Sequence, residues 1–180
     1  MAQIRIDFLA GIGWTSRLIE QFGFPQGWSH CASVLSDGRY LDSRDNAIAG
    51  VPAGVHIRQQ SSEKWTRRCS ATLPVTDAEY AYYETGLRAH LTTEYDEHAI
   101  LGFLEGKSLH TAGDWICSAL AINGVQHLSR TWTPGHLGYI PYPLPIPAHE
   151  ISPDAALLIL ATAGFTISAT LTAVQKEPLP

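Results

Sequence analysis

No block of lysine or arginine stands out in these 180 residues, and the formal net charge is −5. Charged side chains make up only 16%. So sparse and negative a balance argues against nucleic acid as the main partner, because that binding rests on clustered cations. Cysteine is scarce too: Cys31, Cys69 and Cys117 are an odd number with no C-x-x-C spacing. That argues against a disulfide framework and a zinc ribbon, and it leaves at least one thiol free. His90, His98 and His110 lack metal-ligand spacing such as H-E-x-x-H, so they read as surface residues, and no metal or other cofactor is expected. The N-terminal MAQIRIDFLAGIGW has one early arginine, a short apolar run and no clear cleavage site. It does not read as a secretory signal; the expected location is cytoplasmic, with a phage or plasmid origin left open.

What is present is a globular composition, 45% hydrophobic, on a chain long enough for one domain with a real core. The longest apolar stretch, Ala155–Val174, has the length of a membrane span. Its pattern reads otherwise. Ser152-Pro153-Asp154 is a helix start, Ala155–Ala163 a short helix, and Gly164 its end. Beyond the glycine, Phe165, Ile167, Ala169, Leu171 and Ala173 alternate with serine and threonine, the period of a half-buried strand. No integral membrane span is expected.

Elsewhere the pattern predicts strands at Ile4–Leu9, Val55–Arg58 and Cys69–Leu73, and a helix at Trp14–Phe22 stopped by Gly23. Thr76 with Glu79 forms a capping box opening a helix over Asp77–Leu91. Tyr95–Phe103 is a further helical stretch, Asn46–Gly54 a loop, and Thr133–Pro147 a proline-rich extended loop. With no repeat and no linker, residues 1–180 read as a single α+β domain with an antiparallel sheet and packed helices.

Two stretches carry chemistry. In SHCASVLSDGRYLD, residues 29–42, an apolar strand turns back at Ser36-Asp37-Gly38. A three-residue loop with Gly38 left-handed pairs Leu35 with Arg39 and Ala32 with Asp42. His30 and Asp42 then become diagonal neighbours on one sheet face, where a carboxylate orients the imidazole and favours its charged form. A two-residue Asp-Gly loop would bring Ser43 and Asp45 there instead; Asp42 is preferred. In TAGDWICSALAINGVQHL, residues 111–128, Asp114 is a natural N-cap for a helix running to about Val125. That puts Cys117 in the first turn, against the positive end of the helix dipole, where a thiol pKa falls. The Cys117 amide is placed to donate to a developing oxyanion. Cys31 and Cys69, in strands without such a setting, read as buried core thiols.

The order strand–helix, WSHCASVLSDGRYLDS, Ala53-Gly54-Val55, TEYDEHAILGF and GDWICSALAINGV resembles the circularly permuted papain-like cysteine hydrolases, the NlpC-type group that includes lecithin–retinol-acyltransferase-like proteins. The resemblance covers roughly residues 3–174. It implies a permuted papain-like fold, with Cys117 as nucleophile, His30 as base and Asp42 as the orienting third member. It implies a thioester acyl-enzyme formed on a peptide, isopeptide, other amide or lipid ester. Acyl transfer to an amine or lipid, or an inactive binding or structural module, are the alternatives on the same fold. The acidic residue that often follows the Cys-Ser pair is replaced here by Ala119, which bears on the substrate class. Trp28, Tyr95, Trp115 and Ser118 are the cleft candidates, Trp14 flanks the site in sequence, and His136 is a candidate lid residue.

Overall fold

The computed structural model describes residues 1–11, 27–62, 64–105, 109–144 and 150–171. The expected helix at Trp14–Phe22 lies outside the described residues, as does the end of the proline-rich loop.

Six strands form one antiparallel sheet: β1 Ala2–Gly11, β2 His30–Val34, β3 Tyr40–Arg44, β4 Gly54–Arg58, β5 Trp65–Val75 and β6 Thr166–Leu171. Their spatial order is β4-β3-β2-β1-β5-β6. Four α-helices are seen among the described residues: α1 Asp77–Arg88, α2 Glu97–Glu105, α3 Cys117–Ser129 and α4 Pro153–Thr162. The α+β class and the antiparallel sheet agree with the sequence reading.

β1 shows how the sheet is built. Ile4, Ile6, Phe8 and Ala10, two residues apart, are all sealed in the main core. Each large apolar side chain there contributes about 1.5–3 kcal/mol by leaving water. The intervening Asp7 falls on the opposite face, fully buried but satisfied by Arg5 at 2.7 Å, Ser70 at 2.7 Å and the Tyr40 hydroxyl at 2.6 Å. A buried carboxylate is tolerable only with such partners.

The helices cover the core face. α1 opens on the capping box read from the sequence, with Thr76 accepting from the Glu79 amide and Glu79 from the Thr76 amide. It crosses α3 closely because glycines stand at the contact. A Cβ on Gly124 would lie 2.6 Å from Leu87, and one on Gly86 would lie 2.7 Å from His127. α3 is buried along most of its length and rests on β2 and β3.

Residues 152–171 resolve the apolar stretch as expected. Ser152 caps α4 by accepting from the Ala155 amide at 3.2 Å, Gly164 takes φ 97°, and β6 follows. Among the described residues no helix is long and apolar enough to cross a membrane. Of the alternating apolar positions, Phe165 is buried and Ile167 is 38% exposed. β6 closes the sheet at an edge, where period-two alternation no longer guarantees a covered face.

Candidate active site

The hairpin takes the three-residue turn. Leu35 N donates to Arg39 O at 2.8 Å, Gly38 N donates to Leu35 O at 2.9 Å, and Gly38 has φ 80°, a conformation only glycine adopts freely. Ser33 pairs with Leu41 and Val34 with Tyr40, so continuation of the register sets Ala32 opposite Asp42. His30 Nε2 lies 2.8 Å from Asp42 Oδ2. The alternative partners stand elsewhere. Ser43 is on the other face of β3 and donates to the Trp115 carbonyl at 2.5 Å; Asp45 lines a groove.

Asp42 is held from three sides. Beside His30, Arg44 Nε donates to the same oxygen at 3.2 Å, and Arg58 donates to Oδ1. Arg58 is itself sealed in the protein, and its Nη2 donates to Pro52 O at 2.6 Å and Gly54 O at 3.2 Å. These cations, with the His30 ring, outweigh the effect of burial and hold the Asp42 carboxyl down at about 2, so it stays ionised. Neither arginine was anticipated. The only signal was their place two residues beyond Asp42 and on the neighbouring strand, visible once Asp42 pairs with His56 and Tyr40 with Arg58.

The helix bearing Cys117 begins later than expected. Its N-cap is Ile116, in extended conformation and without a side-chain cap, so Asp114 does not cap it. Residues 114–116 are instead drawn out straight. Trp115 forms a parallel bridge with Tyr95; its amide donates to Glu94 O at 3.0 Å, and its carbonyl accepts from the Asp96 amide. Backbone pairing to the 94–96 segment has won over local capping. The outcome keeps Cys117 at the first helical position, where the first-turn amides and the dipole still favour a thiolate.

Cys117, 6% exposed, meets His30, 9% exposed, in a side-chain hydrogen bond. Since Nε2 is engaged by Asp42, Nδ1 is the atom left to face the sulfur. The sulfur has a second partner. Cys31, read from sequence as an inert core thiol, hydrogen-bonds Cys117 through both its side chain and its backbone amide. The β2–β3 ladder ends at Ser33–Leu41, which releases the amide of Cys31 from sheet pairing on that side. Donation from Cys31, opposed by burial and reinforced by the His30 charge, holds the Cys117 thiol well below 9.0. Burial and the Arg44 guanidinium pull the His30 imidazole down, but Cys117 and Asp42 pull harder, and it rises to about 9. Burial and the bond to Cys117 push the Cys31 thiol well up. Both shifts run the same way, toward a thiolate facing an imidazolium.

The four cleft candidates separate. Tyr95 lines an open groove of about 580 Å³ beside the Trp115 bridge, floored by Gly54 and edged by Asp45, Glu94, Glu97 and Asp114. Trp28 does not line it: the indole is buried in the core, with the Arg67 guanidinium 5.1 Å from its centroid. Ser118 is fully buried and donates to the Ile151 carbonyl, because its position in α3 points inward. Trp115 is half-buried, its ring tilted on His90 at 4.3 Å. Of the histidines read as surface residues, His98 and His110 are exposed, His110 pairing with the buried Asp96, whereas His90 is held between Trp115 and Asn123. His136 stacks on Trp132 at 4.3 Å rather than acting as a lid. Among the described residues no group of three or more His, Cys, Asp or Glu is placed to hold a metal ion. No protein-family model matches this chain, and no curated protein matches it.

Proposed function

We propose that the protein is a cysteine hydrolase of the permuted papain-like, NlpC-type kind, cleaving an amide or ester through a thioester acyl-enzyme. The observation that carries this reading is the single line of contact from Cys117 through His30 to Asp42. Support comes also from the order of the parts: histidine strand first, cysteine helix later, the helix tip laid on the histidine hairpin.

The thiolate of Cys117 attacks the substrate carbonyl carbon, and the bond to the leaving amine or alcohol breaks as His30 gives it a proton. The Cys117 amide, at the helix tip, donates to the oxyanion. Water, deprotonated by His30, then attacks the thioester, releases the acid and restores the thiol. Asp42 keeps the imidazole turned toward the sulfur throughout. Peptide, isopeptide, small amide and lipid ester all fall within this chemistry.

Iodoacetamide alkylation of Cys117 across pH, read by peptide mapping, together with the p-nitrophenyl acetate burst tests the reading. The expected result is a thiol that alkylates far below pH 9, a burst of one nitrophenolate per chain, and loss of both in His30→Ala. A Cys117 that titrates as an ordinary thiol, with no burst, would leave an inactive module of the same fold.

A further inference from the structure

Cys117 and Cys31 touch, though 86 positions separate them in the chain, and they differ in the one property that matters for oxidation. Both are buried, but Cys117 at the helix tip keeps 6% of its surface in contact with solvent, whereas Cys31 on β2 keeps none. An oxidant arriving from solvent meets Cys117 first and finds Cys31 already in hydrogen-bonded contact behind it. We infer that Cys117 and Cys31 form a redox pair, Cys31 being the resolving thiol that converts oxidised Cys117 to an internal disulfide when a hydroperoxide enters the site.

The steps balance. The Cys117 sulfur attacks one peroxide oxygen, the O–O bond breaks, and hydroxide leaves to be protonated to water; Cys117 is now a sulfenic acid. The Cys31 sulfur attacks the Cys117 sulfur, the S–O bond breaks, and the departing hydroxide takes the Cys31 proton and leaves as water. Two thiols are oxidised by two electrons in all, and one peroxide is reduced to two waters. A low-pKa thiolate is the usual starting point of such a sequence.

The fold rules out one rival pairing, Cys31 with Cys69. Phe8 is opposite Cys31 on one side and opposite Cys69 on the other. Cys31 and Cys69 thus lie two strand spacings apart, roughly 9.6 Å, beyond the ~7 Å that a disulfide spans between Cα atoms. All three thiols are free in the structure. The consequence is reversible silencing: the disulfide removes the sulfur from His30 and protects it from irreversible oxidation to sulfinate.

The test uses the full chain and hydrogen peroxide, followed by alkylation and non-reducing peptide mass mapping. The expected product is a Cys31–Cys117 linked peptide pair, with Cys69 alkylated as before, and dithiothreitol restores iodoacetamide labelling of Cys117. Cys31→Ser is expected to stop at the sulfenic acid, trapped by dimedone, and to pass on to sulfinate. Linkage through Cys69 or between chains, or Cys117 sulfinate in the wild type with no linked peptide, overturns the inference. Should Cys31→Ser not fold, the wild-type map decides alone. The map and the nitrophenyl ester burst are separate readouts, so a protein that cross-links without hydrolysing would sink the hydrolase reading and leave the redox pair standing.

Discussion

Arg58 donates to the Asp42 oxygen that His30 leaves unused. The guanidinium and the carboxylate are both closed off from solvent. A buried charge of one sign beside the base is tolerable only because the opposite charge is buried with it. Asp42 is therefore held from below by a cation that is itself sealed in the protein.

The first prediction concerns that pairing. Arg58→Met leaves Asp42 with a partner missing and strips the Pro52 and Gly54 carbonyls of a donor. Removing one member of a buried pair costs about 3–5 kcal/mol. Urea unfolding followed by fluorescence should show that loss; a change under about 1 kcal/mol would mean the pair is solvated in solution.

The second is the pH dependence of stability. His30, raised from 6.5 to about 9, contributes stability that is complete below 6.5 and lost as pH rises through about 9. Cys117, depressed from 9.0, contributes stability that is complete above 9.0 and lost as pH falls through its folded value. Above the folded value of Cys117 and between 6.5 and 9, the folded site holds one proton on the imidazole and the unfolded chain holds one on the thiol, so these two groups give no slope there. Below 6.5 the unfolded chain binds a second proton that the folded site does not, and stability falls with pH. Urea midpoints taken from roughly pH 5.5 to 9 should trace a plateau with an acid-side decline that starts above the carboxylate range. A curve equally flat below 6.5 would show that sulfur and imidazole are not paired.

The third isolates the orienting residue. Asp42→Asn removes a charge that raises His30, so the alkaline limb of nitrophenyl ester cleavage should move down from about 9. The rate at the optimum should fall on the order of a hundredfold or more, through a ring no longer held toward the sulfur. An unchanged limb would assign the His30 shift to Cys117 alone.

The fourth tests the groove floor. Gly54 has φ 94°, and a Cβ there would lie 2.4 Å from the Thr93 carbonyl oxygen. That carbonyl accepts from the Val55 amide at 2.9 Å, so it is not free to retreat. Gly54→Ala should cost about 2 kcal/mol or more, seen as a lowered thermal midpoint, and should disturb the groove beside Tyr95. A neutral substitution would mean that the 92–93 segment yields without loss.

By itself the sequence determined what nearest neighbours decide. The Ser36-Asp37-Gly38 stretch marked the turn and narrowed the β2–β3 register to two, of which the one with Gly38 left-handed is formed and brings His30 to Asp42. Caps at Thr76 and Ser152 and the stop at Gly164 placed two helices and broke the apolar stretch for the same reason. Only the tertiary structure decided the start of α3, where backbone pairing of Trp115 with the 94–96 segment displaced Asp114 as cap. It also decided that Cys31 meets Cys117, that Arg58 lies under Asp42, and that Trp28 and Ser118 turn inward. Each of these depends on which elements pack together across the chain, a choice made by burial of the whole core rather than by any short run of residues.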